Sequence, residues 1–600
     1  MKQTLGLTVL TSTMIGLGKL VFPVAAQTQE LFLAYPPPNH QTTATQIFMI
    51  GTAAPDDEVL INGQPIEQSP AGHFAPSFPL QMGVNVFTLR SGGEEIQVEV
   101  TRVSSEPELP VGVAFAPDSL TPAQDMARLP GERICFEAIA PPEATVSVSL
   151  RDRVVPLLPQ SSTVQLPANA AVLTEDNRPQ ASTVGQYAGC TVMTEPGVEN
   201  PVFQLSLDGE TITQPSPASV EILSPTGLAV VEVTAEAGVA RTGPSTNYSR
   251  LTPLPQGTRA TVTGQEGEWL RLDYGAWIKA EETQVIPNHI PVHSLIRSVN
   301  SRQFPGAIEI VFPLQNPVPV SVQQGDHTLT LTLYNTTAQT DTIRLDDDPL
   351  IERLDWQQVT PTQIAYTFHL KTEQQWGYDL RYEGTSLLLT LQHPPEPLSS
   401  SNTLNAGIAV ANAAHPLSGV KILLDPGHGG EELGARGPNG VPEKEVNLVV
   451  SKLLQQELEQ RGATVYMTRD TDEDVSLKER VDMIDEIQPA IALSIHYNAL
   501  PDDGDALNTA GIGTFWYHPQ AHNLAVFMHN YLVETLDRPS YGVFWNNLAL
   551  TRPHTAPAVL LELGFMINPV EFEWITNPQQ QQQLAEAIAQ GVVAWFNQAE

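Results

Sequence analysis

The stretch Val420-Lys-Ile-Leu-Leu-Asp425-Pro-Gly-His428-Gly-Gly430 decides how the last third of the chain is read. Val420–Leu424 is a short apolar run with the length of one buried strand. The glycines around His428 allow a tight backbone that turns the imidazole inward. Downstream, strand-like and helix-like segments alternate. Strands are expected at Thr464–Thr468, Ala490–Ile495, Gly513–Tyr517 and Ala558–Leu561. Helices are expected at Asn447–Glu459, Leu477–Ile487, Asn523–Leu536 and Gln580–Phe596. This alternation predicts an α/β domain over 418–600, a mostly parallel or mixed sheet flanked by helices.

Three polar residues fall at expected strand ends: His428 just past the first, His496 closing another, Glu562 closing a third. In open α/β sheets ligands gather beyond the carboxyl ends of the strands, so these residues converge on one crevice. Glu443 and Glu445 open the helix that follows His428, and two residues apart they cannot both face that crevice. Two imidazoles and a carboxylate suit Zn2+ with a fourth position left for water. A further carboxylate, Glu562, is placed to take a proton from that water. Singly, each residue has a structural explanation: a turn cap, a helix-start acid, a core histidine, a buried ion-pair partner. His518, His522, His529 and His554 read as surface or packing residues.

The motifs Asp425-Pro-Gly-His428-Gly-Gly430, Glu443-Lys-Glu445, Ser494-Ile-His496-Tyr-Asn498 and Leu561-Glu562-Leu-Gly-Phe565 occur in one order. With Thr468-Arg469-Asp470, Leu477-Lys-Glu-Arg480 and Gly564-Phe-Met-Ile-Asn568, this combination resembles the zinc-dependent N-acetylmuramoyl-L-alanine amidases over about residues 420–598. The resemblance implies His428, Glu443 and His496 as zinc ligands, choosing Glu443 over Glu445, and Glu562 as the catalytic carboxylate. It implies peptidoglycan as substrate, cleaved between the muramic acid lactyl group and L-alanine, with a possible protein activator. The chain departs from the family pattern at Ile484-Asp485 and at Phe544. The short stretch before the final catalytic strand leaves no room for the long regulatory helix that some relatives insert there. Other classes are a catalytically inactive wall-binding scaffold and a zinc peptidase acting within stem peptides. No His-Glu-x-x-His motif supports the latter.

Upstream the texture is β-rich, with 51 prolines in 600 residues. All-β modules, sandwiches and a small barrel, are expected at 31–104, 108–224, 226–287 and 295–395, with 396–417 as linker. Val59-Leu-Ile-Asn62-Gly63 runs into a hairpin turn, while Pro156–Pro179 reads as loop-rich. Residues 226–287, with Trp269 and Trp277, resemble a bacterial Src homology 3-like barrel; the tryptophans could fill the core or bind the wall. In 295–395, Ile308, Phe312, Leu314, Leu331 and Leu333 recur as Ile364, Phe368, Leu370, Leu387 and Leu389 at one constant offset. That region weakly resembles a wall-targeting domain, with two matching β-units facing across one core.

Residues 1–26 read as a signal peptide: Lys2, an apolar stretch from Leu5 to Gly18, and Val24-Ala25-Ala26 before a cut at Gln27. Lys19 interrupts the pattern. The expected location is exported, in the periplasm or cell wall, with no membrane span after signal cleavage. Cys135 and Cys190 could pair in such a compartment. The formal charge of −37 argues against nucleic acid as a partner.

Overall fold

The computed structural model describes residues 30–104, 109–160, 163–165, 180–182, 185–287, 291–395 and 415–598. The expected signal segment, most of the 396–417 linker and much of Pro156–Pro179 lie outside the described residues. The part of that stretch described up to Pro159 belongs to a strand, Arg153–Pro159, rather than a loop.

The alternating segments of the C-terminal third form a six-stranded mixed sheet. We label its elements β1 (Lys421–Pro426), α1 (Glu443–Gln460), β2 (Thr464–Met467), α2 (Leu477–Ile487), β3 (Ile491–Asn498), β4 (Ile512–Trp516), α3 (Pro519–Leu536), β5 (Ser540–Trp545), β6 (Ala558–Phe565), α4 (Pro569–Thr576) and α5 (Pro578–Phe596). The strand order is β2-β1-β3-β6-β4-β5. The first four strands run parallel, β4 runs antiparallel to β6, and β5 runs parallel to β4. Central strands are apolar on both faces because helices cover both: Ile422, Leu424, Leu493 and Leu561 pack with Val450, Leu454, Met528 and Ile588 on one face, and Leu423 and Ala492 pack with Ile484 of α2 on the other. Helix α2 starts at a capping box, Ser476 accepting from the Glu479 amide while Glu479 accepts from the Ser476 amide. Both β3 and β6 run past their expected ends, so His496 and Glu562 lie within strands.

The upstream chain is all β among the described residues up to 395, apart from a single 3-10 turn at Ala280–Glu282. The Asn62-Gly63 turn has positive φ at both residues, as a two-residue hairpin requires. Cys135 and Cys190 are register partners on adjacent antiparallel strands and are disulfide-bonded. Residues 226–287 do not stand alone. Strand Arg259–Glu266 pairs with Met126–Arg128, continuing one sheet into the preceding module. Trp269 and Trp277 are both buried. The guanidinium groups of Arg128 and Arg271 lie over Trp277, and Arg241 and Lys279 lie over Trp269.

In 295–395 the repeated units interleave. Ala307–Pro313 pairs with Ser386–Gln392 in a five-stranded sheet, and Thr328–Tyr334 pairs with Gln363–Leu370 in a four-stranded sheet. Each unit therefore gives one of its two repeat-bearing strands to each layer, and the recurring apolar residues meet in one core. This domain is seated on α3 and α5. Trp376 stacks on Phe596 and meets Trp595 edge-on, and Gln324 and Gln374 donate to Gln520.

Candidate active site

His428 sits in the turn after β1 with a φ of 59°, a left-handed conformation that non-glycine residues seldom adopt. Two buried arginines hold this turn from behind. Arg469 donates to the carbonyls of Pro426 and Gly427 at 2.9 Å each and of Lys444 at 2.8 Å. Arg480, carried by α2, donates to the carbonyls of Pro426 at 2.9 Å and His428 at 2.8 Å. It also pairs with Asp425 at 2.6 Å, and Asp425 accepts from Thr468 at 2.6 Å and Ser494 at 2.5 Å. Burial alone would raise the Asp425 pKa. The Arg480 charge and the two hydroxyl donors outweigh it and hold the carboxyl below its ordinary range.

Glu443 opens α1 and is 3% exposed, whereas Glu445 is exposed and points away. The Glu443 carboxylate lies between the imidazoles: Oε2 is 3.1 Å from His428 Nε2, and Oε1 is 3.1 Å from His496 Nδ1. Three further donors orient it: the Tyr497 amide at 3.0 Å, Asn447 Nδ2 at 3.0 Å and the Ala435 amide at 2.9 Å. Burial opposes ionisation of Glu443, but the two histidines prevail and hold its pKa well below the usual carboxylate range. The two rings sit edge to face with centroids 4.9 Å apart. The packing is tight enough that a Cβ on Gly427 would meet His496 Cε1 at 2.1 Å.

Glu562 is the register partner of His496 across β3 and β6. Its Oε2 is sealed from solvent and has no hydrogen-bond partner among the described residues. Burial, followed by the nearby Glu443 charge, raises its pKa well above the usual carboxylate range. The other histidines lie elsewhere: His518 Nε2 is 2.8 Å from the Arg552 carbonyl and His529 Nε2 is 2.7 Å from Ser540 Oγ.

The ligand atoms of His428, Glu443 and His496 all lie within 4.8 Å of one another. Donors around a tetrahedral zinc ion stand about 3.3 Å apart, given metal–ligand bonds of about 2.0–2.2 Å. Two nitrogens, each 3.1 Å from one oxygen of a shared carboxylate, beside a carboxyl oxygen without a partner among the described residues, fit such an ion in number and chemistry. Sequence reasoning missed Asn447 as the residue that orients Glu443, although its position one helical turn along α1 is the spacing that lets two side chains meet. It assigned no role to Asp425, Arg469 or Ser494.

An α/β sheet with a His/Glu/His cluster beside a buried carboxyl group has the make-up of a hydrolase domain. Residues 422–594 match the family model described as N-acetylmuramoyl-L-alanine amidase. Over 185 residues the chain is 36% identical to a protein described as a probable cell wall amidase, LytH, of Staphylococcus aureus, a match covering 30% of this chain and 60% of that relative. The chain thus spans about 60% of the length of the curated relatives it matches. Among solved structures, an N-acetylmuramoyl-L-alanine amidase from Clostridium difficile 630 is 31% identical with a TM-score of 0.29, covering 30% of this chain and 97% of that one. The amidase AmiC2 of Nostoc punctiforme is 30% identical with a TM-score of 0.28, covering 30% of this chain and 97% of that one.

Proposed function

We propose that this protein is an exported zinc-dependent peptidoglycan hydrolase that cleaves the amide between the lactyl group of N-acetylmuramic acid and L-alanine of the stem peptide. One observation carries this reading: three zinc-type donors converge within 4.8 Å beside Glu562, whose Oε2 has no partner among the described residues. The family match over 422–594 and the similarity to a wall amidase support the choice of bond.

His428, Glu443 and His496 would hold the ion. Bound zinc supplies Lewis acidity, lowering the pKa of water to about 7 and polarising a carbonyl. Glu562 accepts a proton from the attacking water and returns it to the leaving amine of L-alanine. Burial, which raises its proton affinity, strengthens it as a proton acceptor once ionised. Asn447 and the Tyr497 amide keep the Glu443 carboxylate oriented, as partners behind metal ligands do. Arg469 and Arg480 fix the carbonyls around His428, so its ring is placed before substrate arrives.

The test is product analysis by mass after incubation with peptidoglycan, with and without a chelator. Free lactyl ends with intact stem peptides, lost on chelation, are expected. Cuts within the stem would identify a peptidase instead, and binding without cleavage would identify a scaffold. Glu562→Gln should lower turnover by about 10²–10⁴-fold while keeping one zinc per chain by elemental analysis. Full activity in that variant would falsify the role given to Glu562.

A further inference from the structure

The first β-module, residues 30–104, is docked against the catalytic domain where the site-bearing segments emerge. Strand β3 carries His496 and ends at Asn498; four residues on, Asp502 is gripped by the module. The Tyr35 hydroxyl donates to Asp502, His40 Nε2 lies 2.9 Å from its Oδ2, and the Phe48 amide donates to its carbonyl at 3.3 Å. Gln46 Nε2 donates to the Asp503 carbonyl at 2.6 Å. Strand β6 carries Glu562 and ends at Phe565. There Phe48, Ile50 and Ala75 of the module pack with Ala506, Phe565 and Ile567 in one buried cluster. On α4, His73 meets Phe572 edge-on at 5.2 Å, and the Ala71 amide donates to Glu573 at 2.9 Å. In the loop between His428 and Glu443, the Phe32 ring lies against Gly440. One module thus touches the segments next to Glu443, His496 and Glu562.

Asp502 is tied to the module through both its side chain and its backbone carbonyl. The partners described for its side chain come from the module, and they hold its carboxyl charged against the cost of burial. A loop of residues 499–506 that leaves a ligand-bearing strand and is gripped by another module has its conformation set from outside.

We propose that this module is a positioning element of the catalytic crevice, with Tyr35 and His40 acting through Asp502 and Phe48 acting through Phe565 to fix the 499–506 rim beside His496. The proposal rests on the amidase reading. Misplacing reacting groups by about an ångström from a distance can cost up to about a hundredfold in rate. The module's role is therefore read in rate and substrate affinity as well as in stability.

The test uses the full-length zinc-loaded protein and two variants, Tyr35→Phe/His40→Ala and Phe48→Glu. Backbone amide exchange over 499–506, zinc affinity, and kcat and KM on a soluble muramyl peptide are measured together. Both variants are expected to keep a folded catalytic domain, to speed exchange over 499–506, and to lose roughly tenfold or more in kcat/KM, mainly through KM. Unchanged exchange overturns the proposal. So does faster exchange with unchanged kinetics, because the contact is then only a joint. If the wild type does not cleave the muramyl peptide, the amidase reading fails. The positioning proposal is then decided by zinc affinity, and an unchanged affinity alongside faster exchange overturns it.

Discussion

A Cβ at position 427 would lie 2.1 Å from Cε1 of His496, a contact no rotamer of alanine relieves. Gly427→Ala should cost about 1–3 kcal/mol and weaken zinc binding, read by thermal melting and zinc titration. Asp425 controls the same turn through charge. Its folded pKa is depressed, so the folded state binds fewer protons than the unfolded state in that range. The stability it contributes is fully present above the unfolded value of about 3.9 and is lost as pH falls through the folded value. Asp425→Asn leaves Arg480 buried without its carboxylate and should cost about 3–5 kcal/mol at pH 7. In denaturant titrations the deficit against wild type should shrink as pH falls below about 4. His428, His496 and Glu562, which the structure brings together, were legible from their places at expected strand ends, whereas Glu443, at a helix start, was separated from Glu445 by the family resemblance. The Asp425–Arg480 and Asp425–Ser494 contacts were not legible: they span 55 and 69 residues, and no local pattern announces such a pair.

Among the elements, α2 bears directly on the site because it delivers Arg480 to the His428 turn. Its capping box fixes where the helix begins. Ser476→Ala should destabilise the protein by about 0.5–2 kcal/mol, measured by chemical denaturation, without altering zinc stoichiometry. Most strands and helices of this domain were readable from apolar periodicity. Two were missed. Strand β5, Ser-Tyr-Gly-Val-Phe-Trp, pairs with β4 at the sheet edge, and its apolar run is short, interrupted by Gly542 and without alternation. Helix α4 has eight residues, little more than two turns, too few for a 3.6-residue period to stand out. The overrun of β3 and β6 past His496 and Glu562 has a simple cause. These strands pair with each other to Asn498 and Phe565, so backbone hydrogen bonding continues after the apolar signal stops.

At the scale of the molecule, the duplication in 295–395 was legible as a constant offset, but its interleaving across two layers was not. Periodicity records which residues face a core, not which strand each one pairs with. Contacts between domains were likewise invisible, since Trp376 meets Trp595 and Phe596 across more than two hundred residues of chain. Trp376→Ala should remove about 3–5 kcal/mol and split a shared calorimetric transition into separate melting of the β-domain and the catalytic domain. The seating of that domain has a mechanical consequence. A catalytic unit on a leash samples a volume set by the leash, whereas this one is mounted on its neighbour through a stacked tryptophan and a glutamine cluster. If the β-domain holds the wall under the proposed reading, it acts as a handle. The crevice then works at a fixed offset and angle from the grip, and the spacing of cuts would follow the dimensions of the folded body.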